Sequence, residues 1–221
     1  MKKSLAGPLC LMLFSVVAGL AEPMADRAAA VQTYRGFTID GSLVVKAANF
    51  EAILAATREQ IDMVHAVGLP ADILAFCASV KFRLMPDGSF AGSTPGRYVG
   101  GGDQSVQVST KIVTTGHKPV LLHELLHAYH DQRIERGYRN RAILGFYEKA
   151  KAISAYAAKS HMMSNEKEFF ACAATTYLFG VTAQEPFRRE KVRDSQPEFQ
   201  AYLQKLFGPG AGSHAGSLTR E

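Results

Sequence analysis

Beyond its N-terminus this 221-residue chain has no apolar run long enough to cross a bilayer, which excludes a polytopic membrane protein. Charge of one sign is equally scarce. Lys+Arg 25 against Asp+Glu 20 gives a formal charge of +5, scattered and without interleaved aromatics, which argues against a nucleic-acid partner. There is no internal repeat. No G-x-S-x-G elbow occurs, which argues against a serine hydrolase. The Gly100-Gly101-Gly102 triplet lacks the Gly-Lys-Ser/Thr of a phosphate loop and reads as a loop or a close backbone approach. Cysteine is sparse, at 3 residues, and Cys10 lacks the preceding small residues that lipidation would require. What the chain has in quantity is apolar side chain, 47% of it, ample for a core.

The first 21 residues read as an export signal. Lys2 and Lys3 precede an apolar run, Leu9 to Leu20, that is short for a span. Gly19 and Ala21 then supply the small residues of a cleavage site before Glu22. An uncleaved anchor is the alternative. Cleavage implies a secreted or periplasmic protein with no stable membrane insertion. In that oxidising setting Cys77 and Cys172 form one disulfide or stay as two buried thiols. Residues 22–32 are Ala-rich and expected to be loosely ordered, 33–207 to form a single domain, and 208–221 to be a flexible tail.

Within the domain, β-leaning runs on either side of Asp40-Gly41 predict a hairpin. Phe50, Ile53, Leu54, Ile61, Val64 and Val67 have helical spacing, predicting a helix from Ala47 to Val67 and a short one over 71–78. Val80 to Met85, Arg97 to Gly101 and Ser105 to Val113 read as strands. From Pro119 the pattern is helical, over 119–136, 141–159, 165–179 and 197–207. The expected class is α+β: a small mixed sheet with helices first, then a helical C-terminal half.

One motif stands above the rest: His123-Glu124-Leu125-Leu126-His127. Residues four apart on a helix share a face, with Cβ atoms about 5–6 Å apart. Two imidazoles so placed can meet one Zn²⁺ at about 2.0–2.1 Å each. Glu124 lies beside that face, where a carboxylate can take a proton from water. The flanking leucines, Val120 and Ala128 make this a buried helix, in which two His and a Glu are expensive unless satisfied. His130 points about 60° away from His127, on the wrong side for the same ion. Zinc needs a distant third ligand, and Glu166 and Glu168 are both candidates. Glu168 opens the apolar run Phe169 to Ala174, whereas Glu166 sits in a first turn where a carboxylate is comfortable. Asn165-x-x-Glu168 also has the shape of a capping box, so spacing leaves both open.

His123-Glu-Leu-Leu-His127-Ala128 followed by Asn165-Glu166-x-Glu168-Phe169-Phe170-Ala171 resembles the zinc-peptidase domain of the anthrax lethal factor family, which are gluzincins. The resemblance implies a zincin-like fold and Glu168 as third ligand. It also implies an edge strand beside the first helix along which substrate lies, for which Ser105 to Val113 is the candidate. Two positions depart from the family pattern. His161 stands where a tyrosine is usual, seven residues before the ligand glutamate, and Cys172 where an acid is frequent, four after it.

The expectation is thus an exported zinc endopeptidase with one Zn²⁺ per chain, acting on a peptide or protein and not on nucleic acid. His123, His127 and Glu168 hold the ion, Glu124 is the base and His161 donates to the oxyanion. Asp131, one turn beyond His127, and Glu166 are candidates to support the ligands. A zinc-bearing but inactive binding module is the alternative, against which the intact Glu124 speaks. Arg188-Arg189-x-Lys191-x-Arg193 reads as a solvated face.

Overall fold

Arg35 and Gly36 make the first reversal of the chain, with positive φ of 46° and 86°. Two such residues form the tight turn that suits strand twist. They join β1 (Val31–Tyr34) to β2 (Phe37–Asp40), with Tyr34 opposite Phe37. The hairpin is therefore not at Asp40-Gly41. There the Asp40 carboxylate accepts from the Ser42 N–H at 3.0 Å, a side-chain turn that ends β2. The structure, a computed structural model, describes residues 30–91 and 94–210. The expected export signal and most of the tail lie outside the described residues. Among the described residues no helix is long and apolar enough to cross a membrane.

Helices α1 (Phe50–Ala66) and α2 (Ala71–Ser79) follow, then strands β3 (Lys81–Met85), β4 (Gly96–Val99) and β5 (Ser105–Ser109). The sheet runs β1-β2-β3-β5-β4, with β2, β3 and β5 parallel and both outer strands antiparallel. Five more helices complete the described fold: α3 (Val120–Gln132), α4 (Arg141–Ala152), α5 (Glu166–Phe179), α6 (Arg189–Ser195) and α7 (Pro197–Phe207). The result is a mixed α and β fold, as expected from the order of the elements.

The strand expected from Ser105 to Val113 is shorter and sits elsewhere. It ends at Ser109, and Thr110–Thr114 coils into a 3₁₀ turn. β5 is paired on both sides and buried at all five positions, so it offers no free edge. The edge strand on this side of the sheet is β4. In the helical half, α3 stops at Gln132, where Arg136 and Gly137 at φ 65° and 53° reverse the chain. A Cβ on Gly137 would lie 2.6 Å from the Asp131 carbonyl oxygen, so only glycine fits. α4 stops at Ala152, not 159, with Ser154 at φ 51° just beyond. The basic cluster expected to be a solvated face forms α6, a short helix that anchors only Val192 in the core.

The core joins Ile53, Leu54 and Ile61 of α1 with Leu84, Val106 and Val108 of the sheet and Leu121, Leu122 and Leu125 of α3. α1 also fixes where α3 begins. Buried Gln60 donates to the Lys118 carbonyl at 2.8 Å and accepts from the Leu121 N–H at 3.1 Å, satisfying a helix start that has no side-chain cap of its own. On its other side α3 lies against β4 at a glycine. A Cβ on Gly96 would sit 2.9 Å from Val120 Cγ1 and 3.0 Å from Glu124 Cγ. Gly96→Val is expected to cost about 1–3 kcal/mol by overpacking this contact. It should read as a lower urea midpoint with an unchanged slope; parental stability would mean strand and helix are not held this close.

Candidate metal centre

Helix periodicity puts His123 and His127 one turn apart on α3, with their rings nearly perpendicular at 88° and Nε2 atoms 3.2 Å apart. α5 packs across α3 and carries Glu168 to the same point. Its Oε2 lies 3.2 Å from His123 Nε2 and 3.3 Å from His127 Nε2. A tetrahedral ion with bonds of about 2.0–2.1 Å keeps its donors about 3.3–3.4 Å apart. The three donor atoms stand at that separation, so the side chains fit a zinc-sized cation.

Local sequence explains why Glu168 faces inward. Asn165 caps α5, its side-chain oxygen accepting from the N–H groups of Lys167 and Glu168 at 3.0 Å each. Only half of a capping box forms, because the Glu168 carboxylate goes to the imidazoles. Phe169 to Leu178 behind it are all buried, which holds the helix down on the core. Burial opposes ionisation of Glu168, yet hydrogen bonds from His123, His127 and His161 outweigh it and keep the carboxyl well below its ordinary range. Glu166 is half-buried and makes no side-chain hydrogen bond or ion pair among the described residues.

Glu124 is buried at 6% exposure, beside His123 on α3. Burial pushes its pKa up to about 7; the charge of His123 and the Tyr98 backbone N–H restrain the rise, and Glu168 adds to it. His161 lies on a 3₁₀ turn, His161–Met163, with Nε2 2.9 Å from Glu168 Oε2 and its side chain half-exposed. Its hydrogen bond to Glu168 raises its pKa against the effect of burial. His123, Glu124 and His161 share the wall of a cavity of about 500 Å³ with Lys111, Lys118 and Thr175.

Other expectations are corrected. Among the described residues the Asp131 carboxylate bonds no imidazole; it accepts from the Tyr98 hydroxyl at 2.9 Å, tying β4 to α3. Gln132 donates to the same hydroxyl at 3.0 Å. This anchor was invisible in sequence, since Tyr98 and Asp131 meet only through the fold. Cys77 and Cys172 are both free and buried. Burial pushes the Cys77 thiol up to about 12. Cys172, one turn after Glu168, belongs to the site instead. Its Sγ and the ligand atoms of His123, His161 and Glu168 all lie within 4.8 Å of one another. This wider grouping omits His127, but the 3.2–3.3 Å triad is the tighter donor set.

No family model matches the chain, and neither does any curated protein. Among solved structures it is similar to the Pro-Pro endopeptidase PPEP-2 from Paenibacillus alvei, at 20% identity and a TM-score of 0.48, covering 71% of this chain and 92% of that one. A likeness at that level leaves the site to stand on its own geometry. The resemblance to lethal factor peptidases rests on the two motifs alone.

Glu168→Ala should weaken zinc binding strongly in a chelator competition titration, while Glu166→Ala should leave it close to parental. The reverse ranking would reassign the third ligand. A second expectation concerns the far face of α3, where His130 is fully buried with its ring 4.6 Å from Phe170 and 5.0 Å from Tyr138. Burial pushes its pKa down to about 3, and the nearby charges of His127 and Lys167 act the same way. Unfolded, the ring takes a proton below about pH 6.5. Folded, it stays neutral, so stability falls as pH drops from about 6.5 toward 3. His130→Phe should flatten that fall in denaturation midpoints; parallel losses in both proteins would show that His130 is not the group taking up the proton.

Proposed function

We propose that the protein is a zinc-dependent endopeptidase of the gluzincin type, zincin-like in its site architecture and exported through its N-terminal segment. The observation that carries this reading is the donor triad of His123, His127 and Glu168 at 3.2–3.3 Å, with Glu124 buried next to it. A zinc ion bound there supplies a Lewis acid for the scissile carbonyl and lowers the pKa of water toward about 7. Glu124 accepts the proton of the attacking water and delivers it to the leaving nitrogen. Burial raises the pKa of Glu124, which favours a carboxylate that can hold a proton between taking and giving it. His161, at the cavity wall, donates to the developing oxyanion.

The extended substrate lies along β4, the edge strand beside α3, where an unpaired strand flank offers main-chain hydrogen bonds. The cavity adjoining Glu124 carries Lys111, which pairs with Asp87 at 3.3 Å, and Lys118, which has no ion pair among the described residues. Lys118, a cation on the wall of the same cavity, favours an acidic side chain in the substrate.

A random peptide library separates this reading from an inactive binding module. The zinc-loaded parent should cleave it, with acidic residues enriched near the cut, and a chelator should abolish cleavage. Glu124→Gln should keep one zinc per chain and lose activity by about 10²–10⁴-fold, since an amide cannot take the proton. A Glu124→Gln protein that cleaves at the parental rate removes Glu124 as base. A zinc-loaded parent that cleaves nothing leaves the binding module.

A further inference from the structure

His161 stands nearer to Glu168 than either histidine of α3. Its Nε2 is 2.9 Å from Glu168 Oε2, against 3.2 Å for His123 and 3.3 Å for His127. Its ring centroid is 6.1 Å from that of His123, and its ligand atom is within 4.8 Å of the His123 ligand atom. Three imidazole nitrogens therefore converge on one carboxylate oxygen. Such an oxygen has about two lone pairs and cannot accept three full hydrogen bonds. A cation among them would relieve that crowding, taking the carboxylate oxygen and the imidazole nitrogens as its donors.

The backbone under His161 is fixed while its side chain is not. The N–H groups of Met163 and Ser164 bond back to Ser160 and His161 at 3.1 Å each, and the Ser164 hydroxyl donates to the His161 carbonyl at 2.7 Å. Met162 and Met163 are buried, and the Tyr147 hydroxyl donates to the Met163 carbonyl at 3.0 Å. The imidazole itself is 53% exposed at the cavity wall. It has a firm base and room to swing.

We propose that in the substrate-free protein His161 is a fourth protein ligand of the metal, a latch that fills the position a catalytic site otherwise leaves to water. Substrate must displace it, and the released imidazole then becomes the oxyanion donor. One residue thus has two successive roles. The inference rests on the zinc reading above and concerns regulation of the same site. Cys172 is the competing fourth ligand, because its sulfur lies in the same 4.8 Å group. Its position is set by α5, however, and Gln184 donates to its sulfur at 3.6 Å.

X-ray absorption of the zinc-loaded, substrate-free protein tests this without measuring activity. The expected parent spectrum has four N/O donors with the scattering of three imidazoles, falling to two in both His161→Ala and His161→Gln. In competition titration both variants should bind zinc at least about 10-fold more weakly than the parent. Circular dichroism checks that they fold. Two imidazoles in the parent, or parental affinity in both variants, would overturn the latch while leaving the peptidase reading intact. A sulfur donor at about 2.3 Å would also overturn it and give the position to Cys172. A parent that binds no zinc would end the zinc reading and the latch together.

Discussion

The carboxylate of Glu168, drawn out of water into a ring of imidazoles, is the constraint around which the helical half is built. Removing an ionised carboxylate from solvent is costly, and a buried charge persists only where partners replace its hydration. Here those partners come from two elements: α3 supplies two rings and the turn before α5 a third. The Asn165 cap and the apolar body of α5 then leave Glu168 little freedom to turn away. Packing of α3 against α5 and the chemistry at their crossing are one arrangement. Ligands alone, in the absence of a cation, would crowd three basic nitrogens around a single acceptor, an arrangement that favours metal binding as part of folding.

The sheet contributes through its edge. β4 is held to α3 at three points: Gly96 against Val120 and Glu124, the Tyr98 backbone beside the Glu124 carboxylate, and the Tyr98 hydroxyl on Asp131. Gln60 meanwhile fixes the start of α3 from the opposite side. The helix carrying both histidines is therefore clamped between α1 and a strand flank. That clamp brings a strand flank with no partner among the described residues beside Glu124, as the proposed docking of an extended peptide requires.

How much of this was legible depends on how local each feature is. His123, Glu124 and His127 announce themselves because one helical turn sets their spacing. For Glu168 the local signals conflicted: the apolar run behind it favoured it over Glu166, the capping-box spacing after Asn165 offered a plain structural role, and the motif resemblance made the choice. The hairpin was misplaced because Asp-Gly is a strong turn dipeptide and Arg35-Gly36 is not, yet Arg35 takes the positive φ. Strand order is not local at all. Nothing in Ser105 to Ser109 says that β4 will pair outside it, so the edge was assigned to the wrong strand. Asp131 failed for the same reason, its partner Tyr98 being far away in sequence.

The two glutamates finally show how one site keeps two carboxylates in different states. Both are removed from water, which by itself raises a carboxyl pKa. Glu168 receives three imidazoles and is held ionised far below the ordinary range, as a ligand must be. Glu124, on α3, receives less compensation and rises to about 7, with the charge of Glu168 among the causes. On the proposed zinc reading the two divide the work: the compensated carboxylate is the ligand, and its neighbour is the group that exchanges protons. Pairs of acids driven apart in this way mark the division between binding and acid–base work. In this chain the division follows from where α3 and α5 cross.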